Sequence, residues 1–385
     1  MDKFAEIRPY NDDEVHTVIE RIIADDECIS AIARLKFPRM PQFLMGLVKP
    51  VVRRVLHKQM DDVNSVQDFQ DKVAIYMEHM VESTMTRFSV SGVEKLERDK
   101  AYLFIGNHRD ITLDPAFVNY ALYHSGRGTV RIAIGDNLLT KDFATHLMRI
   151  NKSFIVKRSE KAPRKLLAAL KLLSQYISHS LLEDNHSIWI AQREGRAKDG
   201  IDKSDVAIIK MFAIDARKQV FSEFIRSLNI VPVSISYEYD PCDQMKANEL
   251  YQLEKTGEYT KGDQEDIASI ARGIAGDKGH VHLSFGEVLS ETIETPEAVA
   301  EWLDRQIVDL YVLHPSNYFA YEKLYGEFPQ GVYSEKALPF NAQGLSKERK
   351  QFDMRLAEVP ENLRENFLKA YANPIVSKKN FGLMR

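Results

Sequence analysis

Between residues 102 and 287, short apolar runs alternate with stretches of helical period, the pattern that an α/β sheet requires of a chain. Strands are expected at 102–105, 130–134, 154–156, 187–190, 230–235 and 281–285. The apolar spacing between them predicts helices at 115–123, 141–149, 163–179 and 203–228, each able to cover a sheet face. Residues 240–279 are polar and read as less regular. Pro232 sits inside an expected strand, which suggests an edge or a bulge, because proline has no N–H for a ladder. The fold class that follows is α/β, a mixed and largely parallel sheet flanked by helices.

The flanks read as helical. Residues 12–88 carry helix-period apolar positions, Val15, Val18, Ile19, Ile22 and Ile23 first, then Val73, Tyr76, Met77 and Met80. Within them, 31–60 hold Arg34, Lys36, Arg39, Lys49, Arg53, Arg54 and Lys58 with no acid, interleaved with Phe43, Leu47, Val51 and Val55. A basic amphipathic helix of this kind suits docking on anionic lipid headgroups, and equally suits packing on a core. After residue 295 the chain is helical to 313, rich in aromatics, Pro and Gly over 318–339, and helical again over 347–372. The expected organisation is a helical region at 1–90, an α/β catalytic domain at 91–294 and a helical extension at 295–385.

The chain's 385 residues carry a net charge of only -4, which gives no bulk field for a polyanion, so nucleic acid is not an expected partner. Two widely separated cysteines, Cys28 and Cys242, make neither a disulfide framework nor a metal-ligand spacing, and suit a reducing cytoplasm. The first residues lack the basic start and apolar stretch of an export signal. No run approaches the roughly 20 apolar residues of a membrane span, so contact with lipid is expected to be peripheral, on the inner face of a membrane.

The strongest local signal is Gly106-Asn107-His108-Arg109-Asp110-Ile111-Thr112-Leu113-Asp114-Pro115, placed between an expected strand and an expected helix. Open α/β sheets put ligands at such junctions. A histidine with a nearby carboxylate can take the proton of a hydroxyl as that oxygen attacks a carbonyl, while the acid fixes the ring's tautomer. His108 is the candidate base. Asp114 before Pro115 also reads as a helix N-cap followed by proline at the first helical position. His108-Arg109-Asp110 spells the start of a protein-kinase catalytic loop, but Pro115 stands where that loop needs Asn, and no Asp-Phe-Gly or glycine-rich loop supports it.

Four segments taken together resemble the glycerolipid acyltransferase family. Its first motif is Asn-His, four residues, then Asp; here five residues separate His108 from Asp114, so either Asp114 or Asp110 is the orienting acid. The second is Ser153-Phe154-Ile155-Val156-Lys157-Arg158, similar to a family strand ending in a basic residue near the acceptor's phosphate. The third, Glu194-Gly195-Arg196, resembles a Glu-Gly-x-Arg loop shortened by one residue. The fourth, Ile230-Val231-Pro232-Val233-Ser234-Ile235-Ser236-Tyr237-Glu238, is like the family's strand with Val-Pro-Val at its centre. The resemblance covers about 102–288, and without it a pair of basic residues after a strand is usually a solvated turn.

The resemblance implies direct acyl transfer from acyl-CoA or acyl carrier protein to a hydroxyl of 1-acylglycerol 3-phosphate, without metal or cofactor. Glycerol 3-phosphate or another lipid head is the alternative acceptor. It further implies His108 as base, oxyanion donors at the following helix N-terminus, and Lys157, Arg158 and Arg196 as phosphate anchors. Gly195 would allow close backbone approach and Glu194 would order the loop. A non-catalytic lipid or carrier-protein binding module on the same fold, or a hydrolase, are the rival readings.

Overall fold

The computed structural model describes residues 2–37, 41, 44–262, 264–329 and 345–384. By contacts the chain groups into two compact units. The first comprises Met1–Met77 and Val130–Tyr176, the second Glu78–Thr129 and Ile177–Arg385. Seven strands are formed among the described residues: β1 (Met85–Ser91), β2 (Leu103–Gly106), β3 (Arg131–Gly135), β4 (Ser153–Val156), β5 (Ile188–Ala191), β6 (Ile230–Tyr237) and β7 (Gly279–Phe285).

The second unit holds five of these in the order β1-β7-β6-β2-β5. β1 and β7 run parallel, as do β6 with β2 and β2 with β5; only β6 and β7 are antiparallel. The arrangement is α/β, mixed and largely parallel. Every residue of β2, β5 and β6 is buried, which explains why these strands read as unbroken apolar runs rather than as alternating ones.

β1 was not foreseen. It is an edge strand whose Thr86 and Arg87 are exposed, and helical periodicity runs up to its first residue. Pro232, in contrast, lies in a strand with partners on both sides. Its carbonyl accepts from Gly286 N on the β7 side, and its nitrogen faces the same way. The β6–β7 register ends at Val233 opposite Phe285, so the missing N–H falls just past the ladder's end and costs no bond.

Two further expectations give way. Residues 203–228 form two short helices, Val206–Phe212 and Phe221–Ser227, because Asp215, Arg217 and Lys218 interrupt the apolar stripe. The polar stretch 240–279 is largely helical, Asp243–Thr256 and Glu265–Ala275, and buries polar side chains, Asp243, Lys246 and Glu249 among them, in place of the apolar ones that periodicity detects. The C-terminal residues form Pro296–Leu310, Pro315–Tyr325, Ser346–Ala357 and Arg364–Asn380. Phe319, Phe352, Phe367 and Tyr371 make their own buried cluster. Residues 330–339 of the expected aromatic stretch lie outside the described residues.

The first unit packs Val15, Val18, Ile19 and Ile23 of Asp12–Ala24 against Val66, Phe69 and Ile150, and pairs β3 with β4 in parallel. The helix Met45–Met60 has two apolar sides. Val52 is buried beside Ile29 and Ala33, whereas Leu47, Val51 and Val55 are 72%, 61% and 48% exposed. Arg39 and Phe43, counted in the basic amphipathic stretch, lie outside the described residues. No helix among the described residues is long and apolar enough to cross a membrane.

Candidate active site

The site begins where β2 ends. After Gly106 the Asn107 side chain takes over the strand's pairing: Ile235 N donates to its Oδ1 at 2.8 Å, and its Nδ2 donates to Ile235 O at 3.0 Å. The backbone is thereby released to turn while still tied to β6. Gly106 faces the Trp189 indole so closely that a β-carbon would lie 3.0 Å from Nε1. Trp189 in turn meets the His108 ring edge-on at 6.0 Å.

His108 Nδ1 is 2.8 Å from Asp114 Oδ2. The same oxygen accepts from Arg109 N at 2.6 Å and from Asp110 N at 2.9 Å, and Oδ1 accepts from the Tyr237 hydroxyl at 2.8 Å. Asp114 is 1% exposed. Two backbone N–H groups and the Tyr237 hydroxyl converge on it, which makes the carboxyl an acceptor, so Nδ1 faces it as a donor and Nε2 holds the lone pair. Nε2 has no hydrogen-bond partner among the described residues, and the His108 side chain keeps 16% of its surface exposed.

Asp110 does the capping that the Asp-Pro pair suggested for Asp114. The helix is Leu113–His124, and Asp110 Oδ1 accepts from Thr112 N at 2.9 Å and Leu113 N at 2.8 Å. Burial, and then Asp114 nearby, raise the Asp110 carboxyl above its usual range. The N–H groups of Arg109, Asp110, Thr112 and Leu113 are all taken by these two acids. Leu113 N, the first N–H of the helix, is thus already engaged.

The loop after β5 is tied to the same turn, since Ala197 N donates to the His108 carbonyl at 2.8 Å and Gln192 N to that of Gly106 at 2.8 Å. Gly195 adopts φ +75°, which favours glycine, although the space a β-carbon would fill is open. Glu194 is exposed and Arg196 is buried. Arg196 Nη2 reaches Ser269 Oγ at 3.5 Å, while Nη1 is buried with no hydrogen-bond partner.

A second tier of polar residues, absent from the sequence reading, supports the turn. Arg109 pairs with Asp202 at 2.6 Å and lies over the Tyr311 ring. Burial works against its charge, but Asp202 outweighs it and keeps the guanidinium protonated. Lys246 Nζ donates to the Arg109 carbonyl at 2.6 Å and pairs with Asp240. Burial pushes the Asp240 carboxyl up, but Lys246 overcomes it and holds it below the usual range. Arg355 and Tyr371 complete the set through Asp243 at 2.6 and 2.8 Å. The sequence sign of Asp243, Lys246 and Arg355 is charge inside helices that otherwise read as solvated.

Lys157 and Arg158 belong to the first unit. Lys157 Nζ pairs with Glu6 at 2.8 Å, and Arg158 N donates to Asp136 Oδ1 at 3.0 Å, with its side chain against Gly135. The residues that come together in the second unit are His108, Asp114, Asp110 and the Arg196 loop.

The family model named Acyltransferase matches residues 87–236, from β1 through the His108 turn and the Arg196 loop almost to the end of β6. That stretch of the chain is an acyltransferase-type domain. Its likeness to a Bacteroides thetaiotaomicron protein named lyso-glycine lipid O-acyltransferase is 24% identity over 128 residues, 32% of this chain and 46% of that protein. The matched stretch is thus about half the length of that curated relative. Among solved structures it matches the 1-acyl-sn-glycerophosphate (LPA) acyltransferase PlsC from Thermotoga maritima at 14% identity, covering 76% of this chain and 95% of that one, with a TM-score of 0.32. Tyr237 lies one residue past the acyltransferase match, and Lys246, Arg355 and Tyr371 lie well beyond it.

Proposed function

We propose that this protein transfers a fatty acyl group from a thioester, acyl-CoA or acyl carrier protein, to the hydroxyl of 1-acylglycerol 3-phosphate. The observation that carries the reading is the His108 ring, held at Nδ1 by Asp114 and bare at Nε2. Nε2 takes the hydroxyl proton as the oxygen attacks the thioester carbonyl, forming the new C–O bond. Collapse of the tetrahedral intermediate breaks the C–S bond, and the imidazolium returns its proton to the departing thiolate. The products are an ester and a free thiol, and no acyl-enzyme forms.

Arg196 is the anchor for the acceptor's phosphate in this reading. Its buried Nη1 is a donor without an acceptor, and a phosphate oxygen would supply one. Glu194 and Gly195 shape the loop that carries it. The second reading exchanges the phosphate for an amino-acid lipid head, favoured by the name of the Bacteroides relative. Contact with the inner face of a membrane is proposed for Met45–Met60, where Leu47, Val51 and Val55 stand exposed beside exposed Arg54 and Lys58.

The test is a screen of purified protein with acyl-CoA and acyl carrier protein donors against 1-acylglycerol 3-phosphate, glycerol 3-phosphate and a lyso-glycine lipid, reading thiol and product lipid together. His108→Ala should lower turnover by about 10² to 10⁴. Equal activity in that variant refutes the base. Thiol release without acceptor indicates a hydrolase, and no release with any donor indicates a binding module.

A further inference from the structure

The His108–Asp114 pair has a third member, one residue past the end of the acyltransferase match. We propose that Tyr237, at the C-terminal end of β6, is a positioning residue that sets the orientation and basicity of His108 through Asp114. The inference rests on the acyl-transfer reading for its kinetic consequences, though not for its geometry.

The two oxygens of Asp114 are used unequally. Oδ2 takes the imidazole and two backbone N–H groups of its own turn, all within six residues. Oδ1 takes only the Tyr237 hydroxyl, 123 residues away in sequence. The three bonds at Oδ2 leave the carboxylate free to rock about that oxygen; the fourth, from the opposite side, closes the rotation. Nothing else can replace it, because Asp114 is buried and the Oδ1 side is closed by Tyr237, itself 6% exposed and packed against Phe117.

The direction of the bond is fixed. Burial, and then the charges of Asp114 and Asp110, raise the phenol far above its ordinary value of 10, so the hydroxyl keeps its proton and donates. A donor at Oδ1 draws negative charge away from Oδ2 and weakens the carboxylate's hold on an imidazolium. Two effects on the base follow. The tyrosine holds Nε2 in place, and loss of its hydroxyl would strengthen the carboxylate's hold on an imidazolium.

Tyr237→Phe keeps the ring and its contact with Phe117 and removes only the hydroxyl. The expected result is a fall in kcat of about tenfold to a hundredfold, the worth of one hydrogen bond to a charged group, with KM for acceptor unchanged. The acidic limb of the kcat/KM profile should move up by about half a pH unit or more, as His108 gains basicity. A role in packing alone would lower the melting temperature and leave that limb in place. An unmoved limb with kcat within about twofold of the parent therefore overturns the proposal.

Two readouts do not depend on activity. Nitrogen NMR of the His108 ring should show a higher titration midpoint in Tyr237→Phe than in the parent, and an equal midpoint counts against the inference even if the protein transfers no acyl group. In the parent protein, the buried Tyr237 hydroxyl proton should shift as His108 titrates; a resonance insensitive to that titration also overturns it, and this measurement needs no variant to fold. Loss of activity in His108→Ala with none in Tyr237→Phe rejects this inference and leaves the acyl-transfer reading standing.

Discussion

Gly273 lies against Asp110 so closely that a β-carbon on the glycine would fall 2.3 Å from the Asp110 Oδ2. The helix Glu265–Ala275 thus seats its glycine on the acid that caps Leu113–His124. Asp110 cannot swing aside without releasing Thr112 N and Leu113 N. Gly273→Ala is expected to destabilise the protein by about 1–3 kcal/mol, the usual cost of overpacking, despite alanine's better helix propensity. Denaturant unfolding checks the sign, and a more stable variant would show that the contact yields freely.

The two acids of the turn should separate cleanly on substitution. Asp114→Asn puts an amide where His108 Nδ1, Arg109 N, Asp110 N and Tyr237 all require an acceptor, and its NH₂ favours the wrong imidazole tautomer. Turnover should fall by at least about 10², within the range of a lost general base. Asp110→Asn preserves a capping oxygen, and asparagine caps about as well as aspartate, so turnover and stability should stay near those of the parent. Reversal of this order in steady-state assays would exchange the two roles.

Arg355 and Tyr371, both near the C-terminus, hold Asp243, and Arg355 also donates to the Asp240 carbonyl at 2.7 Å. Asp240 holds Lys246, whose amine grips the carbonyl next to His108. Arg355→Met removes the charge that faces a 3% exposed Asp243. Stability is expected to drop by about 3 kcal/mol, the lower end of the range for one partner lost from a buried pair. Turnover of the folded fraction should drop as well, read by assaying at a temperature well below the new midpoint.

Acid should weaken the fold through two imidazoles outside the site. Burial first, then Arg87 and His282, lower His280 from 6.5 to about 4; burial, then His280, lower His314 to about 3. Both values lie below those of the unfolded chain, so the neutral rings contribute stability that is complete above pH 6.5. That stability is lost as pH falls from 6.5 through about 4 and then 3. His280→Gln should flatten the slope of unfolding free energy between pH 6.5 and 4 relative to the parent. Parallel slopes in the two proteins would rule His280 out as a source.

Much of this molecule was legible because much of it is periodic. Six of the strands fell within about two residues of their expected positions, and the turn after β2 declared itself by Asn107, His108 and Asp114 in a short span. What misled was polar burial. Asp243, Lys246 and Glu249 face inward on a helix whose sequence looks solvated, and the segment 240–279 was read as irregular for that reason. Pro232 argued for an edge because a sequence does not reveal on which side of a strand its neighbour's ladder stops.

The sequence by itself determined the alternation that makes an α/β sheet, the order of the family's segments, and the short-range pairing of His108 with an acid close behind it. Covalent spacing and residue period suffice for these. Only the tertiary structure decided that Asp114 meets the ring while Asp110 caps the helix, that Tyr237 holds the far oxygen, and that Arg196 is buried with a free donor. Those choices depend on which strands lie side by side, and contacts across 123 residues are settled by the sheet's order and not by any local spacing.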